Sequence, residues 1–238
     1  MPQLNRIFNL RPKASFVVKA TEKFREAGAN AQYMQPSRDG KRPGIFYEVV
    51  RDPLTYNYFA MESLYIHEAI PGHHYQVAIQ QEADIPEFRK SYWTSAFGEG
   101  WALYAESLGT ELGMYTDPYQ YMGRLNNEIE RAVRLVVDAG MHHKGWTREK
   151  AIAYVLENQP VSETEAIQRI ERYMVTPGQA VSYKVGELKI LALREKAKQQ
   201  LGDQYDIREF HDHVLKNGSL PLSILERQID KWIATAKM

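Results

Sequence analysis

The chain has 238 residues, and its 30 basic residues balance its 30 acidic ones. A net charge of zero gives no reason to expect nucleic acid or an anionic membrane surface as a partner. The lack of cysteine excludes disulfides, thiolate nucleophiles and thiolate metal sites, so any metal would be held by His, Asp or Glu. No apolar run reaches the roughly 20 residues of a membrane span, and the N-terminus does not resemble a signal peptide.

The predicted elements are mainly helical, with a short β element near the start of the chain. Residues 1–45 are rich in Pro and Gly and predict a loop-rich lead-in. Short strands are predicted at 15–19 and 44–50. Apolar periodicity, caps and terminators predict helices from Tyr58 onward and at 95–112, 118–139, 147–158, 162–173, 179–201, 207–217 and 222–236. Since no repeat or linker interrupts the pattern, we expect one domain over residues 1–238.

The sequence HEAIPGHH, which begins at His67, is the first candidate site. A zinc peptidase helix usually reads H-E-x-x-H, but Pro71 stands where the second histidine belongs. On a regular helix, seven residues return to the same face about 10.5 Å further along, which is too far to share one ion. Pro71 and Gly72 predict a kink that shortens this path. The kink would bring His67 together with His73 or His74, and the helical face favours His74.

A third ligand is predicted in the segment SAFGEGWALYAESLG. Glu99 follows the histidines after one loop, as the glutamate ligand does in helical zinc peptidases with two histidines and a glutamate. A ligand imidazole also needs a carboxylate on its other nitrogen, and Glu106 or Glu62 could serve. Glu68, next to the first histidine, is expected to act as general base on a zinc-bound water and to pass the proton to the leaving amine.

These motifs resemble those of known families. GEGWALYAE is similar to the N-E-G-F-A-x-Y-x-E segment of aminopeptidase N-type zinc enzymes, whose first glutamate is the third zinc ligand. The ordered set RPGIFYEVV, HEAIPGHHYQ, GEGWALYAE, VVDAGMHHKGW, TPGQAVSYKVGELKI and NGSLPLSILE is similar to the bacterial domain-of-unknown-function 885 family, from about residue 42 to 232.

The family resemblance implies a zincin-like helical metallopeptidase domain. It implies a catalytic centre made of His67, Glu68, the His73–His74 pair and Glu99. It also implies that this chain is the C-terminal half of a longer protein. Members of the family are often exported or anchored as lipoproteins, whereas this chain carries no signal that indicates its compartment.

Two further residues are candidates for catalysis. Tyr183, on the first turns of a predicted helix, could donate to a developing oxyanion, or it could be an ordinary half-buried helix tyrosine. His142 follows Gly140, the predicted end of a helix, where the helix dipole favours histidine. It could bind a substrate carbonyl or carboxylate, or it could cap the helix.

The expected function is a zinc-dependent hydrolase, and specifically a metallopeptidase that cleaves peptide bonds. A non-catalytic helical module with a retained metal site and a hydrolase of other amides or esters are the alternatives. The intact Glu68 favours catalysis, because a purely structural zinc site does not need it. The strand at 44–50 is expected to line the cleft and pair with an extended peptide. Other expected partners are a missing N-terminal half or a second copy of the chain, which would cover exposed apolar surface.

Overall fold

The protein is described by a computed structural model that covers residues 3–27, 29–54 and 56–237. Residues 1 and 238, the two ends of the predicted single domain, therefore lie outside the described residues. The strands are β1 (Phe16–Ala20), β2 (Gln32–Met34) and β3 (Gly44–Glu48). The helices are α1 (Met61–Glu68), α2 (His73–Glu82), α3 (Glu87–Lys90), α4 (Ser95–Ser107), α5 (Pro118–Lys144), α6 (Arg148–Asn158), α7 (Glu163–Val175), α8 (Gln179–Leu201), α9 (Ile207–Leu215) and α10 (Leu222–Ala236). The prediction of a mainly helical fold with a small β element near the N-terminus is confirmed.

The small sheet has the strand order β1-β3-β2, with β1 parallel and β2 antiparallel to β3. The two predicted strands are present, as β1 and β3. The predicted role of the second one is wrong, because β3 is the buried central strand and β2 is the strand that faces the cleft described below. Strand β2 was not predicted, since three residues are too few for an alternating pattern.

Most predicted helices are present with ends within a few residues, and α8 and α10 match their predicted ranges. Helix α5 differs, because it continues through Gly140 to Lys144. Its C-cap is Gly145, which has a left-handed φ of 64°. Gly140 is required for packing, since a Cβ there would lie 2.6 Å from the ring of Trp146. None of the described helices is long and apolar enough to cross a membrane.

Helices α4 and α8 cross at the centre of the molecule with their backbones in contact. A Cβ on Gly100 would lie 2.4 Å from Cα of Gly186, and a Cβ on Gly186 would lie 1.8 Å from the carbonyl oxygen of Ala96. Two glycines therefore permit a crossing that any side chain would prevent. The close crossing brings Glu99 of α4 and Tyr183 of α8 to one cleft.

Candidate metal centre

A break between α1 and α2 places two histidines side by side. The chain leaves the helix at Ala69, and the Ile70–Pro71 peptide bond is cis. Gly72 lies so close to α1 that a Cβ would stand 1.9 Å from the carbonyl oxygen of His67. Helix α2 then begins at His73. The His67 and His73 ring centroids lie 4.8 Å apart, with the ring planes at 86°.

Glu99 places a carboxylate between these two imidazoles. Its Oε2 lies 3.6 Å from His67 Nε2 and 3.3 Å from His73 Nε2. Three ligand atoms in a tetrahedral zinc shell, each about 2.0–2.2 Å from the ion, are separated by roughly 3.3 Å. Glu99 Oε2 is buried and has no hydrogen-bond partner among the residues described. The spacing and the unsatisfied oxygen fit a small divalent cation.

A second carboxylate orients His67 from its other side. His67 Nδ1 donates to Glu106 Oε1 over 2.8 Å, and the buried Glu106 also accepts from the hydroxyl of Ser63. In the neutral imidazole, this contact keeps the proton on Nδ1 and leaves the lone pair of Nε2 available to a metal ion. The other sequence candidate, Glu62, accepts instead from the backbone N–H of Tyr115 over 2.6 Å.

The charges of the cluster are strongly coupled. Burial lowers the pKa of His67, but the Glu106 and Glu99 carboxylates outweigh burial and raise that pKa to about 9. Burial raises the pKa of Glu99, but the imidazoles of His67 and His73 beside its carboxylate outweigh burial and hold the pKa well below its usual range. Without a cation, two buried carboxylates are thus balanced by imidazolium, and a divalent cation could take over that role.

Glu68 is the next acidic group at the cluster. It ends α1 and is mostly buried, with 8% of its surface exposed. Donor atoms of His67, Glu68 and His73 all lie within 4.8 Å of one another. Glu99 Oε2 is the closer carboxylate oxygen to both imidazoles, which leaves Glu68 beside the ligand set.

The structure does not bring His74 to the cluster. Its Nδ1 lies 3.0 Å from the hydroxyl of Tyr33, and its Nε2 lies 3.1 Å from the carbonyl oxygen of Ala14. Because a carbonyl only accepts, Nε2 carries the proton and Nδ1 accepts from Tyr33. The preference for His74 assumed one kinked helix, whereas a new helix starts at His73 and turns the next residue away from His67.

Tyr183 lies at the cluster, whereas His142 does not. The Tyr183 ring is 6.2 Å from the His67 ring and nearly parallel to it. His142 Nε2 lies 3.0 Å from the carbonyl oxygen of Tyr173 and 3.3 Å from Asp138 Oδ1, so it links α7 to the end of α5. His142 therefore contacts neither the cleft nor the last carbonyls of its own helix α5, and among the described residues it joins α5 to the last turn of α7 instead.

Gln179 was missed in the sequence and lies between two site residues. Its Nε2 lies 3.1 Å from the hydroxyl oxygen of Tyr183 and 3.4 Å from Glu99 Oε1. It therefore donates to the tyrosine and to Oε1 of Glu99, the carboxylate oxygen that is not the proposed ligand atom. A glutamine at the start of a helix carries no signal of such a role, because the role depends on how α8 crosses α4.

A cleft of about 580 Å³ opens onto the cluster. Residues 31–35, which include β2, line the cleft together with the apolar Val77 and Trp93 and the basic Arg172. Trp93 is 45% exposed, and its ring packs 5.9 Å from that of His73. The cluster is therefore accessible through a cleft with apolar and basic walls.

The sequence matches the family described as "Bacterial protein of unknown function (DUF885)" over residues 1–229. The chain belongs to this family. The resemblance inferred from its motifs is thus confirmed. No curated protein matches the chain.

Two solved structures are similar to this DUF885 member. One is a "putative lipoprotein" from Colwellia psychrerythraea, with 45% sequence identity and a TM-score of 0.94, matched over 98% of this chain and 40% of that one. The other is a "putative lipoprotein of unknown function" from Shewanella oneidensis, with 27% identity and a TM-score of 0.79, matched over 94% of this chain and 42% of that one. The chain spans about two fifths of the length of these proteins. Their descriptions agree with the expectation that family members are often exported or lipoprotein-anchored.

Proposed function

We propose that this protein is a zinc-dependent hydrolase of amide bonds, and specifically a metallopeptidase. The observation that carries the proposal is the position of Glu99 Oε2, which lies 3.6 Å from His67 Nε2 and 3.3 Å from His73 Nε2, close to the spacing of ligand atoms around zinc. A bound Zn²⁺ would supply a Lewis acid that polarises the scissile carbonyl and makes water acidic enough to attack near neutral pH.

The residues of the chain then have separate roles around that ion. Glu106 holds the proton on His67 Nδ1, so that Nε2 stays available as a ligand. Glu68 accepts the proton of the attacking water and delivers it to the leaving amine. Its position within 4.8 Å of two ligand nitrogens supports this role, because a base must lie within reach of the water it activates.

Tyr183 is the proposed donor to the developing oxyanion. Burial, together with the charge of Glu99, raises the pKa of its hydroxyl, so the proton stays in place at neutral pH. Because Gln179 donates to the hydroxyl oxygen, the proton of Tyr183 is left free to point into the cleft. Such a donor stabilises charge that appears only in the transition state.

The walls of the cleft favour a peptide as substrate. Among the described residues, strand β2 pairs with β3 on one side only, so its other edge leaves backbone N–H and C=O groups without a strand partner at the cleft. An extended peptide can pair with such an edge. The half-exposed ring of Trp93 offers an apolar surface for a substrate side chain beside the proposed ligand His73.

Metal content and turnover together test the proposal. Protein purified without added metal should contain about one zinc per chain by elemental analysis, and it should cleave members of a fluorogenic peptide library. Chelation should abolish cleavage, and added zinc should restore it. Glu68→Gln should retain zinc and lose turnover, whereas unchanged turnover would reject Glu68 as the base. A chain without zinc and without zinc-stimulated cleavage would reject the proposal as a whole.

A further inference from the structure

Arg172 lines the cleft that holds the candidate metal centre, and its guanidinium is unpaired among the described residues. It lies in the last turn of α7, is exposed, and lines the cleft with His67, His73 and Glu99. Its side chain makes no hydrogen bond or ion pair with any residue in the described part of the chain. The wall of a substrate-sized cavity therefore carries a cation that no described residue neutralises.

The acidic groups nearest to Arg172 along α7 are already engaged elsewhere. Glu171 accepts from Arg148 over 2.6 Å. The preceding arginine of the helix, Arg169, pairs with Glu130 over 3.1 Å and also with Glu165. Arg172 thus differs from its neighbours in having no carboxylate of the described residues to neutralise it.

A planar guanidinium recognises carboxylates through two parallel hydrogen bonds, a geometry that lysine cannot offer. We propose that Arg172 binds a carboxylate of the substrate, so that the cleft selects short peptides with a carboxyl group on the Arg172 side of the scissile bond. The inference rests on the proposed peptidase function and names its substrate class. The carboxylate is either the free C-terminus of the peptide or an acidic side chain of the peptide. A free C-terminus would make the enzyme a carboxypeptidase.

The cavity is consistent with a short substrate. Its volume of about 580 Å³ lies in the range of sites for small ligands. Its lining also includes the apolar side chains of Val77 and Trp93 and the edge strand β2. A peptide can therefore place a backbone along β2 and an apolar side chain on Trp93 while a carboxylate reaches Arg172.

Binding to a non-hydrolysing form of the full chain separates this inference from catalysis. Zinc-supplied Glu68→Gln protein would be titrated calorimetrically with three N-acetylated apolar tripeptides. The first has a free C-terminus, the second is its amide, and the third is the amide with one glutamate side chain. At least one carboxylate peptide should bind about tenfold or more tightly than the neutral amide. Which of the two gains affinity identifies the source of the carboxylate.

Arg172→Gln on the same background should remove that preference and leave binding of the neutral amide unchanged. Arg227→Gln is the matched control, because Arg227 is also exposed but lies on α10 and does not line the cleft. It removes the same charge and should keep the preference. Equal affinity of all three peptides, or equal loss in both variants, would overturn the inference.

The two proposals can fail separately in this design. If wild-type protein cleaves no peptide but the Arg172-dependent preference persists, the peptidase function fails and the carboxylate site stands. In the opposite case, wild-type protein cleaves the carboxylate and amide peptides with equal kcat/KM, and Glu68→Gln protein binds them with equal affinity. The peptidase function then stands and the role of Arg172 is rejected.

Discussion

The imidazole of His67 lies between two carboxylates, with Nδ1 bonded to Glu106 over 2.8 Å and Nε2 directed at Glu99 over 3.6 Å. The first contact fixes the tautomer, and the second marks the Nε2 side of the ring as the ligand side. Carboxylate–histidine pairs of this kind orient zinc ligands and increase their basicity. Replacing Glu106 should therefore act on metal affinity, although the residue is not itself a ligand.

Glu106→Gln should weaken zinc binding about 10–100-fold, because an amide can present its N–H instead of an acceptor to Nδ1. Competition with a chromophoric chelator would measure the change. Glu62→Gln is the control, since Glu62 is bonded to the backbone of Tyr115 and not to a ligand. An equal loss in both variants would show that the Glu106 contact has no specific effect.

His73→Ala and His74→Ala should have opposite effects. His73→Ala removes a donor atom of the cluster and should abolish stoichiometric zinc. His74→Ala should retain zinc but lower the free energy of unfolding by about 1–3 kcal/mol, because Tyr33 and Ala14 lose a buried partner. Elemental analysis and urea denaturation would measure the two effects. Loss of zinc from a folded His74→Ala protein would show that His74 is a zinc ligand after all.

Tyr183→Phe should lower kcat about 10²-fold or more with little change in zinc content, since only the hydroxyl that donates to the oxyanion is removed. Tyr173→Phe is a matched control. Both rings lie against Arg134, but Tyr173 is buried outside the cleft. Steady-state kinetics on one peptide would compare them, and similar kcat values for the two variants would exclude Tyr183 as the donor.

Gly72→Ala should move α1 and α2 apart. It should lower both the affinity for zinc and the free energy of unfolding. The new Cβ would stand 1.9 Å from the carbonyl oxygen of His67, so the backbone that sets the distance between the two histidines must shift. Gly40→Ala serves as the control, because Gly40 has a left-handed φ of 71° but a Cβ added there would have no described atom within 4 Å. It should cost about 1 kcal/mol of backbone strain and leave zinc binding intact.

His211 should make the protein sensitive to acid. Burial lowers its pKa to about 3, and its two nitrogens are engaged by the Ile7 carbonyl over 2.7 Å and the Tyr104 hydroxyl over 2.8 Å. Between pH 6.5 and about 3 the unfolded chain binds the proton and the folded chain does not. The contribution of His211 to the free energy of unfolding is thus fully present above about pH 6.5. It is lost as the pH falls, by at most about 1.4 kcal/mol per pH unit.

Denaturation at about pH 7 and about pH 5 would measure this loss in wild-type protein and in His211→Gln. The variant should be less stable at neutral pH but should lose less stability between the two values. His143→Gln, at an exposed position of α5, should behave as wild type. An unchanged pH dependence in His211→Gln would reject the assignment.

Linear patterns of residues predicted the helices and most of the residues that meet at the cluster. Caps such as Thr147 and Ser162, and terminators such as Gly202, act within one turn of their own position, so a linear pattern identifies them. The family resemblance was readable for a similar reason, because its motifs are contiguous runs of residues in a recognisable order.

The choice between candidate residues close together in the sequence depends on how the helices pack. Whether His73 or His74 faces His67 depends on where the new helix starts after Gly72, and a one-residue shift turns a helical side chain by about 100°. The choice of Glu106 over Glu62 and the placement of Gln179 depend on how α4 packs against α1 and α8. That Glu171 and Arg169 of α7 are already paired near Arg172 depends on Arg148 of α6 and Glu130 of α5, which only the packing of these helices brings close. Such contacts join residues distant in the chain, so no local pattern records them.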